Sequence, residues 1–132
     1  MKADAAPPRI GIRGAISIAA ALAAGAPATS LACGACIEDK VAATYDHAVV
    51  ERAAASGDLM VFCEVTGPLD ARHLKQAMRR VHGVRPQSVR VSTQPPAISF
   101  AIDRKAGPPQ DAVGTAQRGL VPGTRLVILR LQ

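Results

Sequence analysis

The sequence predicts an α+β fold, a four-stranded antiparallel sheet with two helices on one face, preceded by one further helix. Three observations predict it. After Leu59, four β-forming runs alternate with two runs whose apolar residues recur at helical spacing, in the order β-α-β-β-α-β. Turn-forming residues separate these runs, at Thr66-Gly67-Pro68, His82-Gly83, Thr93-Gln94-Pro95-Pro96 and Pro122-Gly123-Thr124. The interior must be aliphatic, because the 132 residues are 48% hydrophobic yet hold no Trp, one Tyr and two Phe.

The first 32 residues read as a signal peptide. Lys2, Arg9 and Arg13 make a cationic start, and residues 14–25 are an apolar run of about twelve, the length of a signal-peptide core. A bilayer-spanning helix needs about twenty, so no membrane span is expected to remain after cleavage. Ala26-Pro27-Ala28 and Ser30-Leu31-Ala32 both suit cleavage, so the mature chain begins at Thr29 or Cys33 and is periplasmic or secreted. Acylation of Cys33 would make the chain a lipoprotein instead, but Ser30 stands where a lipobox has Leu.

Residues 33–57 carry the chemistry. Cys33-Gly34-Ala35-Cys36 places two thiols at C-x-x-C spacing before an amphipathic pattern over 37–55, with Ile37, Val41, Tyr45, Ala48 and Val49 on one side. A thiol at a helix start meets the positive end of the helix dipole and free backbone N–H groups, which favour the thiolate. Outside the cytoplasm such a pair tends to oxidise unless a metal or reductant holds it, and a Cys33–Cys36 disulfide is the simplest pairing of three cysteines. His47 falls on the same helical face as Cys36 but eleven residues on, roughly 16 Å along a continuous helix. It is therefore read as a surface residue.

Residues 58–132 form the predicted ferredoxin-like domain. Its strands fall over 59–65, 87–92, 97–103 and 125–131, its helices over 69–81 and 109–118. Alternation puts Leu59, Val61, Cys63 and Val65 on one face, with Val89, Val91, Ile98, Phe100 and Ile102 on matching faces that should meet the helices. Cys63 is accordingly read as a buried structural thiol. Met60 and Phe62 point to the other face, which the 37–55 helix, a partner protein or a second copy could cover.

From 59 to 131 the chain resembles a heavy-metal-associated domain, the fold of small copper chaperones and of copper-ATPase modules. The resemblance rests on Val65-Thr66-Gly67-Pro68-Leu69-Asp70, a helix ending Val81-His82-Gly83-Val84, and Ser88-Val89-Arg90-Val91. It implies a copper-related role. That family binds Cu(I) through a C-x-x-C in the loop after its first strand, whereas here the loop from Thr66 to Asp70 has no cysteine and the motif stands upstream.

The leading functional expectation is a soft-metal site in which Cys33 and Cys36 bind Cu(I), for which two thiolates suffice. Zinc asks for four ligands, and neither His73 nor His82 is near the pair in sequence. Met60 is a conceivable extra soft ligand, with packing as its simpler role. The alternatives are a thiol-disulfide redox protein, with Cys33 attacking and Cys36 resolving, and a non-catalytic interaction module with a structural disulfide. Neither a hydrolase or phosphoryl-transfer constellation nor a glycine-rich phosphate loop is present. Of the net charge of +6, +2 belongs to the leader (Lys2, Arg9 and Arg13 against Asp4). The remaining basic residues look scattered, and with so few aromatic rings no nucleic-acid partner is expected.

Overall fold

The computed structural model describes residues 36–132 together with Gly11. Apart from Gly11, the expected signal peptide lies outside the described residues, and so does Cys33.

The chain forms α1 (Ile37–Thr44), α2 (His47–Ser56), β1 (Leu59–Thr66), α3 (Ala71–Arg79), β2 (Arg90–Thr93), β3 (Pro96–Ile102), α4 (Pro109–Arg118) and β4 (Arg125–Leu131). The four strands make one sheet in the order β2-β3-β1-β4, with every neighbouring pair antiparallel. This is the strand order of the ferredoxin-like fold, so from β1 onward the predicted arrangement is present.

One face of the sheet packs against α3 and α4. Val61, Cys63 and Val65 of β1 and Ile98, Phe100 and Ile102 of β3 meet Leu74 and Met78 of α3 and Ala112, Val113 and Ala116 of α4. These are the strand residues that alternation assigned to the core. Asp70 starts α3 by accepting the His73 N–H at 3.0 Å, as a helix N-cap does. The loop before it is tight. Gly67 has φ 83°, and a Cβ there would stand 2.1 Å from the Gly123 carbonyl oxygen, so only glycine fits.

The second strand is shorter than its sequence pattern suggested. Residues 86–88 form a 3-10 turn, because the Ser88 hydroxyl donates to the Arg85 carbonyl at 2.6 Å and accepts the Ala101 N–H at 2.7 Å. Ser88 thus bridges to β3 by its side chain, and the ladder begins at Arg90.

The N-terminal helix expected over 37–55 is two helices. Tyr45 and Asp46 are extended (φ −70°, ψ 126° and φ −131°, ψ 109°), and the Asp46 carboxylate accepts the Val49 N–H at 3.2 Å to start α2. A single rod over 37–55 would be about 28 Å long. The break instead lets Val41 of α1 and Val49 and Ala53 of α2 lie on the second face of the sheet, over Met60, Phe62 and Ala101. Gly57, left-handed at φ 72°, ends α2 and turns the chain into β1. Met60 and Phe62 are thereby covered by the chain's own helices, at 2% and 1% exposure.

Candidate metal centre

Cys36 is the N-cap of α1 and its side chain is exposed. Its backbone N–H donates to Asp39 Oδ2 at 3.2 Å, and its thiol donates to the same oxygen at 3.1 Å. The first backbone N–H groups of a helix have no intrahelical acceptors, so the thiol stands among donors at the positive end of α1.

The helix that carries Cys36 is tied to the sheet. Lys40 Nζ pairs with Glu64 of β1 at 2.7 Å, and Glu38 pairs with Arg130 of β4. Val41, the residue after Lys40 in the helix, is buried at 5% exposure. At the break, Asp46 pairs with Arg90 of β2 at 2.9 Å. Its carboxyl is held below the usual carboxylate range first by the Val49 N–H and then by Arg90. The thiol position is therefore indexed to the sheet through three strands.

Cys63 is the opposite case. It lies at 1% exposure in the α3/α4 core, and burial pushes its thiol up to about 12. A sulfur so placed is neither a nucleophile nor a ligand at neutral pH. Among the described residues Cys36 and Cys63 are not joined to each other. The expected Cys33–Cys36 pairing falls on a residue outside those described.

The histidines do not gather at Cys36. His47 opens α2, is largely exposed, and faces Glu51 one turn on at 3.1 Å. The extended residues Tyr45 and Asp46 interrupt the helix after Thr44, so His47 is not held a rod's length from Cys36, yet its ring is engaged on its own helix. His73 and His82 lie at the two ends of the α3 region, on the far side of the sheet. Met60 packs with Phe62, Val41 and Val49, so it is core and not a ligand. Among the described residues no group of three or more His, Cys, Asp or Glu is placed to hold a metal ion.

Two features escaped the sequence reading. Asp58, just before β1, is buried and accepts two hydrogen bonds from Arg85, each 2.8 Å, with Asp103 3.6 Å from the same guanidinium. Arg85 holds the Asp58 carboxyl below its ordinary value against the opposing effect of burial. The pair floors an open cleft of about 170 Å³ beside Arg52 and Ser56 of α2. The partners stand 27 residues apart and no spacing rule links them. The second feature is charge: Arg72, Lys75 and Arg79 form a row along α3, with Arg80 beside them, where the sequence suggested scatter.

A crystal structure of a copper-binding domain from HMA7, a P-type ATPase, resembles this chain. The TM-score is 0.48 and the identity 18%, over 56% of this chain and 97% of that domain. No protein-family model matches the sequence, and no curated protein matches it. The fold rests on the strand order and on the placement of α3 and α4.

Proposed function

We propose that the chain is an exported soft-metal binding or transfer protein in which the thiolates of Cys33 and Cys36 hold Cu(I) at the start of α1. The supporting observation is the exposed Cys36 thiol on a helix end anchored to the sheet, in a chain whose third thiol is sealed in the core. Losing its proton leaves Cys36 as a thiolate beside the Asp39 carboxylate, two negative charges at hydrogen-bond distance. The dipole end of α1 and a bound cation both relieve that repulsion. An exposed site also lets the ion pass to an acceptor by ligand exchange, which a buried site does not.

Titrating the reduced protein with Cu(I) against a competing chelator tests this. The expected result is one equivalent bound, lost in a Cys33→Ser, Cys36→Ser double variant and kept in Cys63→Ser. Uptake by the double variant equal to that of the parent chain would remove the proposal.

A further inference from the structure

The two sides of the molecule differ in how their charges are neutralised. On the α1/α2 side, among the described residues, the ion pairs are Lys40–Glu64, Asp46–Arg90, Glu38–Arg130 and His47–Glu51, and Arg52 stands alone as an unpaired cation. On the α3/α4 side Arg72, Lys75, Arg79, Arg80 and Arg118 have no ion-pair partner among the described residues. Between Ala71 and Arg80 there is no acidic residue at all. Arg72, Lys75 and Arg79, at positions i, i+3 and i+7, repel one another along a single helix. Arg80 and His73 face α4 across a shallow groove whose floor is Ala77, Val81 and Ala116.

We propose that this face is a docking surface for an anionic phospholipid bilayer, bound through lipid phosphates by the α3 row and the groove beside it. The chemistry of the face selects that partner. A protein interface rests on buried apolar or aromatic anchors, but none of the five exposed large apolar side chains among the described residues, Ile37, Tyr45, Val121, Val127 and Leu131, belongs to α3 or α4. Single-stranded nucleic acid is held by aromatic stacking, and both Phe are buried while Tyr45 stands on the opposite layer. A cationic surface without anchors suits a continuous sheet of negative charge, where each Lys or Arg contributes separately. Docked this way, the molecule turns α1 and Cys36 away from the membrane. The inference stands on charge placement and is independent of the thiol chemistry.

The test is cosedimentation of the full chain with vesicles of phosphatidylglycerol and phosphatidylcholine, or of phosphatidylcholine alone, with a duplex DNA oligonucleotide as competitor. Binding is expected to the anionic vesicles only and to weaken with salt. An Arg72→Gln, Lys75→Gln, Arg79→Gln variant, folded by circular dichroism, should bind about a hundredfold more weakly. Arg52→Gln, a charge removed from the α1/α2 side, should change nothing comparable. Three results would each overturn the proposal: no binding to anionic vesicles at low salt, unchanged binding by the triple variant, or tighter binding to the DNA than to the anionic vesicles at equal phosphate concentration and salt.

Discussion

The two faces of the sheet are held by different physics. Among the described residues the cluster between the sheet and α3 and α4 holds fifteen buried residues, including Phe100, Leu74 and Met78, whereas the one between the sheet and α1 and α2 holds six, two of them alanines. The first layer is fastened by apolar area. The second adds ion pairs from α1 and α2 to three strands, and partly exposed pairs of that kind are each weak and are screened by salt. The comparison teaches that the layer bearing the exposed thiol is the less stable one. It should open locally while the α3/α4 core stays closed.

The largest effect that can probe this contrast is in the bigger core. Phe100→Ala removes a fully buried ring between sheet and helices and should cost about 3–5 kcal/mol in chemical denaturation. Val41→Ala, in the smaller layer, should cost about 1–2 kcal/mol. Its effect should appear in hydrogen exchange as faster opening of α1 and α2 with little change at β1 and β3, and uniform acceleration across the sheet would erase the distinction between the layers.

Asp58→Ala comes next, at about 1–2 kcal/mol for a buried carboxylate that accepts two charge-assisted bonds. The sign with pH follows from the direction of the shift. Arg85 lowers the folded-state value of Asp58, so this stabilisation is complete above the unfolded carboxylate value of about 4 and is lost as pH falls through the lower folded value. Asp58→Asn should flatten that acid limb of the stability curve, and an unchanged limb would contradict the pairing. Smallest of all, raising salt to about 1 M, where screening reaches within about 3 Å, should speed exchange in α1 and α2 alone.

Most of the α3/α4 side was legible in the sequence, because alternation and helical spacing there report the same core from both partners. Val61, Cys63 and Val65 on one strand and Leu74 and Met78 on one helix each declare an inward face. The break between α1 and α2 was not legible. Val41 and Val49 stay in helical phase across it, and Asp46 looks like any polar surface residue until Arg90 and the Val49 N–H are seen beside it. Asp58 with Arg85, and Ser88 with Ala101, are pairings made by the tertiary fold, so local pattern held no trace of them. The charge row on α3 was within reach of the sequence, because Arg72, Lys75 and Arg79 fall at i, i+3 and i+7 of the helix predicted over 69–81.

Alkylation of the native, reduced protein, read by mass spectrometry with and without Cu(I), tests the central claim most directly. The account predicts that Cys33 and Cys36 react in the metal-free protein and are protected by Cu(I), and that Cys63 reacts only after unfolding. Equal labelling of Cys33 and Cys36 with and without Cu(I), or ready labelling of Cys63 in the native state, would contradict it.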